Sequence, residues 1–421
     1  MVRRGEVPEG YKQKEHRLFP KGWHYDKLGK HLLAYDELSS ETNSYPIATS
    51  SRQGLMLQTE YYNDQRYEDT TGGFHVVPKG YVTYRHMSDD DIFHLNINEL
   101  GQSVLVSPEY PVFTTTPDMV QALVVNYINE MEVFRTFSAA QKKGSTRTRM
   151  YFHRLCEFSL PIPPLQEQQK IAEILACCEK AIALKRQFIA EKRRQKASLM
   201  QKLLDPNSGV RLPGFEGSKW TKSTIGTLFE IGSSLSVPRE QLSDDGIPYL
   251  HYGDVHSNRT GIVDIEKDGI PKLRTENVQE RFFLDDGDVV FVDASEDYDG
   301  VSKYVVIRNA KGRPFLAGLH TLPAHSKTDA LSFGFKRYCF MPSKIKKQFA
   351  FYASGMKVLG LNKVNLSKIE IEYPSLKEQT AIAGILSAVD CEIDLLEQEL
   401  EAWQQKRKAL MQLLLTGLVR V

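Results

Sequence analysis

The sequence predicts an α+β chain. Two globular, mixed α/β regions are separated by two long helices that pair antiparallel as a coiled coil, with a pseudo-twofold internal repeat. Three observations carry this expectation: a duplicated stretch, a heptad pattern inside each copy, and a shared plan in the residues that precede each copy.

The duplicated stretch is LQEQQKIAEIL from Leu165, which returns as LKEQTAIAGIL from Leu376. The same offset lays Gly144 on Gly355, Leu155 on Leu366, Pro163 on Pro374, Ile182 on Ile393 and Leu199-Met200-Gln201 on Leu410-Met411-Gln412. A gap-free match over about sixty residues reads as an internal duplication, so the chain is two copies of one unit.

Within the second copy, Ile382, Leu386, Val389, Ile393, Leu396, Leu400, Trp403, Leu410 and Leu414 alternate steps of three and four, with Arg407 in one slot. That is a heptad seam. The first copy carries Ile171, Leu175, Cys178, Ile182, Ile189, Leu199 and Leu203, but Lys185, Lys192 and Lys196 occupy its middle, so it needs a partner. No Pro or Gly interrupts Leu165 to Leu204, and at about 1.5 Å per residue the helix is roughly 60 Å long. The first copy is basic, through residues such as Lys180, Arg186, Arg193 and Arg194; the second is acidic, through Asp390, Glu392, Asp394, Glu397, Glu399 and Glu401. Opposite charges flanking two seams of one chain select each other, which predicts the antiparallel pair. Two unrelated solvated helices and a basic helix lying on DNA are the competing readings; the heptads argue against the first and the acids of the duplicate copy against the second.

The elements follow in order. Residues 1–20 are polar and charged and read as a leader. A globular region over 21–160 holds strand-like runs at Phe74-His75-Val76-Val77, Tyr81-Val82-Thr83-Tyr84 and Ser103-Val104-Leu105-Val106. A helical stretch from about Asp118 to Gln141 and a basic glycine-containing loop, Lys142 to Arg149, follow. The first long helix is expected within 161–205. The second region, 206–372, repeats the plan: Trp220 with Ile225-Gly226 echoes Trp23 with Leu28-Gly29. Asp288-Val289-Val290-Phe291-Val292 and Tyr304-Val305-Val306-Ile307 read as strands, and Ser343 to Ala353 as a helix. The second long helix is expected within 373–421, and its ending, LLTGLVRV, has the sequence with which a further unit would begin.

Composition excludes several classes. Hydrophobic content of 41% and charge of 25% are ordinary for a globular chain. No apolar run is long enough for a bilayer, and MVRRGEVPEGYKQKEHR lacks a signal peptide's apolar core, so a cytoplasmic protein without membrane contact is expected. The five cysteines show neither a disulfide framework nor a zinc spacing. With a net charge of +1, any basic surface must be local. A P-loop is absent, as are the glycine-rich cofactor loop and the Asn/Asp-Pro-Pro-aromatic motif of an amino-methyltransferase; Ile162-Pro163-Pro164-Leu165 lacks the polar residue that motif requires. His251 and His256 are spaced wrongly for a metal pair, and Asp285, Asp286 and Asp288 fit a turn before a strand better than a Ca²⁺ loop.

The chain resembles the specificity subunits of Type I restriction-modification enzymes along nearly its whole length. The most specific resemblance lies in the helical repeats, entered through PPLQEQQKIAEIL and YPSLKEQTAIAGIL and left through SLMQKLL and ALMQLLL; VPEGYKQKEHRLFPKGW, YPIATSSRQGL, IPYLHYGDV and DDGDVVFV add to it. The resemblance implies two target-recognition domains, each reading half of a split double-stranded DNA site. The missing motifs above lead to the expectation of no catalysis and no cofactor or metal in this chain. Two methyltransferase subunits, and motor-nuclease subunits in the full enzyme, would carry S-adenosylmethionine, ATP and Mg. The regions after Tyr45 and after Ile247 differ, so the two halves should read different sequences.

Phosphates attract Arg and Lys, and base edges are read by Arg, Lys, Asn, Gln and His. The densest such cluster is Lys142, Lys143, Ser145, Thr146, Arg147 and Arg149; its repeat equivalent holds Lys357, Asn362, Lys363 and Asn365. Ser51 and Arg52, and His251 and Tyr252, come from the stretches that resemble the family. A merely solvated basic loop is the competing reading. Two other functions stay open: an enzyme of unrecognised type, and a coiled-coil adaptor that binds only protein. Incubation with DNA, S-adenosylmethionine and ATP separates the first from a binding subunit, and absence of DNA binding beside a methyltransferase would favour the second.

Overall fold

The heptads become two helices, Leu165–Leu203 and Leu376–Leu415. The structure, a computed structural model, describes residues 7–15, 17–39, 44–62, 73–142, 147–275 and 278–421. The chain forms two compact units, 1–186 with 399–421 and 187–398, so each long helix contributes one end to each unit.

In the first unit, Ile171 and Leu175 of the first helix and Met411, Leu414 and Leu415 of the second join one core with Trp23, Phe113, Tyr127 and Phe158. In the second unit, Leu203 and Leu204 join Ile382, Ala383 and Leu386 in a core with Phe291, Tyr304, Phe335 and Phe340. Cys178, Ile182, Ile189 and Ile393 are buried, while Val389, Leu396, Leu400, Trp403, Leu199 and Leu410 are half-buried.

The lysines in the seam meet the acids of the other helix. Lys185 Nζ lies 2.6 Å from Glu399 in the first unit; Lys192 lies 2.7 Å from Glu392 and Lys196 2.5 Å from Asp390 in the second. Partner numbers fall on one helix as they rise on the other, so the helices run antiparallel. Arg407, the polar slot of the second seam, pairs with Glu179 and lies 3.1 Å from Glu130. The repeat offset carries Glu179 onto Asp390 and Lys196 onto Arg407, so one ion pair is built twice. Asp390 also accepts from Tyr338 Oη at 2.7 Å and lies 2.9 Å from Arg337 Nη2.

The helix starts are pinned alike. Buried Gln168 accepts from Val120 N–H at 2.8 Å and donates to the carbonyls of Asp118 and Pro163. Its duplicate, buried Gln379, accepts from Ser332 N–H at 2.8 Å and donates to Ala330 and Pro374. Strand His24–Lys27 pairs with Ser159–Ile162, and Thr221–Thr224 with Glu370–Tyr373, each just before a long helix. The echoed glycines follow from this packing. A Cβ on Gly29 would lie 2.9 Å from Cys156 Cβ, and one on Gly226 2.7 Å from Ser367 Cβ, too close for any side chain.

The first unit's main sheet is antiparallel, in the order Asn96–Ile97, Val82–Thr83, Val112–Thr115 and Leu32–Ala34. Val104–Val106, Phe74–Val77 and Leu38–Ser39 form a second sheet. In the second unit, Val289–Val292 is buried along its whole length because it lies in the middle of a five-stranded sheet. Its neighbours are Tyr304–Arg308 and Thr321–Ser326.

Two expectations are corrected. The leader is not merely polar chain: Tyr11–Lys14 and Arg17–Pro20 form a hairpin whose Phe19 is 1% exposed, and Tyr11 Oη donates to Gly417 O at 2.9 Å. Its alternation was too short and too charged to stand out. The helix expected from Asp118 to Gln141 is two, Gln121–Glu130 and Glu132–Ala139, because Met131 is extended at φ −89° and ψ 121°. Among the described residues, no helix is long and apolar enough to cross a membrane.

Candidate nucleic-acid interface

In the first unit, the hairpin of Ala48–Ser51 and Gly54–Leu57 turns at Arg52. The Ser51 hydroxyl is used inside that turn: it accepts from Gln53 N–H and donates to Gly54 O, both at 3.1 Å. Arg52 is left exposed at the tip, on the rim of a groove of about 850 Å³ that Arg85, Asp89, Asp90 and His94 also line. Burial holds the His94 imidazole below its ordinary pKa, so it stays neutral.

Strand Thr148–Arg149 pairs with Met87–Ser88, which sets the end of the basic loop beside an acidic turn, Asp89-Asp90-Asp91. Arg147 Nε lies 2.7 Å from Asp89, Arg52 Nη2 2.5 Å from Asp90, and Lys142 Nζ 3.9 Å from Asp91. The Arg52 bond is the main reason the Asp90 carboxyl titrates below its usual range; the Ser88 hydroxyl, donating at 2.9 Å, adds to it. Arg149 is exposed and reaches Tyr151 Oη at 3.5 Å. Arg52, Lys142 and Arg147 therefore face one turn, with Arg149 on the strand that pairs just before it and Ser51 in the lining of the same groove. Lys143, Ser145 and Thr146 lie outside the described residues.

In the second unit, the equivalent loop closes through a bridge between Ser354 and Gly360, leaving Met356 and Lys357 exposed at its tip. Gly355 is required there: at φ 140°, a Cβ would lie 1.9 Å from Val358 O. The neighbouring candidates are partly committed to structure. Asn362 Oδ1 caps helix Lys363–Ser367 by accepting from Asn365 N–H at 2.8 Å, Asn365 Nδ2 donates to Tyr352 O at 3.0 Å, and Lys363 Nζ donates to Ser233 Oγ at 2.9 Å.

His251 does not lie on the surface. It is 6% exposed and caps helix Tyr252–Ser257, its Nδ1 accepting from Gly253 N–H at 3.1 Å while Asp254 accepts from His251 N–H at 3.2 Å. Burial lowers its pKa, which keeps the accepting ring neutral. Tyr252 packs on His251 and meets His320 edge-on at 5.4 Å. His251→Ala is expected to cost about 1 kcal/mol of this unit's stability, as loss of an N-cap does. Chemical denaturation checks this, and an unchanged midpoint would contradict the cap.

The sequence reading missed Asp89, Asp90 and Asp91, which look like a solvated turn, and the pins Gln168 and Gln379, which stood in plain view inside the repeat. Among the described residues, no group of three or more His, Cys, Asp or Glu is placed to hold a metal ion.

The pattern of the family described as the Type I restriction modification DNA specificity domain matches residues 107–191 and 217–403. The Type I restriction enzyme MjaVIII specificity subunit of Methanocaldococcus jannaschii is 27% identical over 316 residues, 69% of each chain. The putative Type I restriction enzyme MjaX specificity subunit of the same organism is 24% identical over 98% of this chain and 97% of its own. The crystal structure of a Type I restriction-modification system S subunit from M. genitalium superposes with a TM-score of 0.55 at 13% identity, covering 96% of this chain and 97% of that one. At that identity the likeness speaks for the fold alone.

Proposed function

Because the chain belongs to the family of Type I restriction modification DNA specificity domains, we propose that it is the DNA-reading subunit of such a system, each compact unit reading one half of a split double-stranded site. The chain itself is non-catalytic. Two methyltransferase subunits dock on it, motor-nuclease subunits join the full enzyme, and those partners carry S-adenosylmethionine, ATP and Mg. The paired helices set the unread spacer between the half-sites.

The observation that carries this reading is the placement of basic loops at one register of a duplicated frame, with different side chains in each copy. Lys142, Arg147 and Arg149 belong to the first and Lys357 to the second, where Lys363 opens the helix that follows the loop. One scaffold with two surfaces suits two half-sites of different sequence.

The test is to map methylated adenines in DNA exposed to the chain with its methyltransferase partner. Arg147→Ala and Arg149→Ala are expected to weaken binding by about 1–3 kcal/mol each where they read bases, or to flatten the salt dependence where they hold phosphates, at one half-site only. Equal loss at both half-sites, or methyl transfer by the pure chain, would sink the reading. A four-residue insertion after Ala197 adds close to one helical turn. It is expected to lengthen the spacer by about one base pair or more with both half-sites kept. Altered half-sites with an unchanged spacer would remove the helices from that role.

A further inference from the structure

The acidic turn in the first unit is built again in the second. Ser88-Asp89-Asp90-Asp91 follows the strand that pairs with Thr148–Arg149. Ser295-Glu296-Asp297-Tyr298-Asp299 follows the strand that pairs with Leu359–Gly360. The repeat offset carries Thr148 onto Leu359. In both turns the serine hydroxyl accepts the backbone N–H two residues on, from Asp90 at 3.4 Å and from Asp297 at 3.3 Å. The basic partners differ. Arg52 and Arg147 face the first turn, whereas Lys346, from helix Ser343–Tyr352, lies 3.7 Å from Asp299 in the second.

Carboxylates beside residues meant for a polyanion need a reason, and fold stability does not supply it. Both first-unit pairs are well exposed, with Arg52 at 59% and Arg147 at 51%, and exposed ion pairs contribute about 0–1 kcal/mol and are screened by salt. Orientation does supply it. Arg147 gives Asp89 only its Nε, and Arg52 gives Asp90 only Nη2, so the other guanidinium nitrogens make no hydrogen bond among the described residues. A guanidinium tethered at one corner is biased toward turning its remaining N–H groups away from the carboxylate, which favours bidentate reading of a guanine edge. The carboxylates also repel phosphate, which penalises any backbone placement that gives the arginines no better partner.

Resting on the DNA-reading function proposed above, we propose that Asp89 and Asp90 are positioning residues for the first half-site. They aim Arg147 and Arg52 at base edges and disfavour non-cognate DNA, so they supply discrimination more than affinity. Asp299, 3.7 Å from Lys346 and not hydrogen-bonded to it, contributes at the second half-site the repulsion of misplaced phosphate alone.

The experiment uses the full chain with its methyltransferase partner, S-adenosylmethionine, and a plasmid library carrying the mapped wild-type site and every single-base variant of it. For the double variant D89N/D90N, methylation at sites altered in the half assigned to the first unit is expected to rise about tenfold relative to the intact site. Selectivity at the other half stays unchanged, and the salt dependence of binding steepens. D89E/D90E, which keeps both charges, restores most of the discrimination, and D299N loosens the other half-site. Unchanged discrimination in D89N/D90N, equal loosening of both halves, or loss of intact-site methylation with discrimination kept would each overturn the inference. Should the double variant fail to fold, D89N alone, which removes one exposed carboxylate, carries the same comparison. A wild-type complex with no site preference would instead overturn the DNA-reading function, and this inference with it.

Discussion

Asp390→Ala is expected to destabilise the second unit by about 2–4 kcal/mol, seen as a lower denaturant midpoint with an unchanged slope. Asp390 is 8% exposed and receives three groups: Tyr338 Oη at 2.7 Å, Arg337 Nη2 at 2.9 Å and Lys196 Nζ at 2.5 Å. Truncating it leaves two cations and a phenol facing each other with little water to replace the carboxylate, and stranding a buried charge costs more than the intact pair contributes. Lys196→Met removes one cation and leaves the other two contacts in place, so it should cost about 1 kcal/mol or less. Equal losses from the two variants would show that Asp390 is serving Lys196 alone.

Gln168→Ala and Gln379→Ala are each expected to cost about 2–4 kcal/mol, because each strands one N–H and two carbonyls, and a buried unpaired group costs about 1–3 kcal/mol. The losses are local. In Gln379→Ala, hydrogen exchange should accelerate at the Ser332 amide and not at Val120; Gln168→Ala should do the reverse. Acceleration at both amides from either variant would rule out independent pins.

The helices were legible because a heptad is a local pattern and the duplication doubled the signal; Ile171, Leu175, Ile382 and Leu386 lie in cores as their spacing required. The strands at Val104–Val106 and Val289–Val292 were legible for the same reason, as short apolar runs bounded by turns. What stayed hidden depends on partners far along the chain. Nothing near Asp89 announces that it faces Arg147, fifty-eight residues on. His251 shows the opposite case: its capping partner Asp254 is three residues away, the spacing of a capping box, and that signal was available in HYGD. The break at Met131 carries no sequence mark, since neither Pro nor Gly produces it.

The opposite charges of the two helices bear on how the duplicated halves can stay different over evolutionary time. Tandem copies within one gene are prone to homogenisation, in which one copy is overwritten by the other. Overwriting the first helix with the second would put Leu, Trp and Gln, the residues of Leu396, Trp403 and Gln404, where Lys185, Lys192 and Arg193 stand. Glu399, Glu392 and Glu397 would lose their cations, and two acidic surfaces would face each other. Only the pair built twice, Glu179 with Arg407 and Asp390 with Lys196, would survive the event. The electrostatic asymmetry of the helices thus selects against merging the copies, and it keeps the recognition halves joined to them free to diverge.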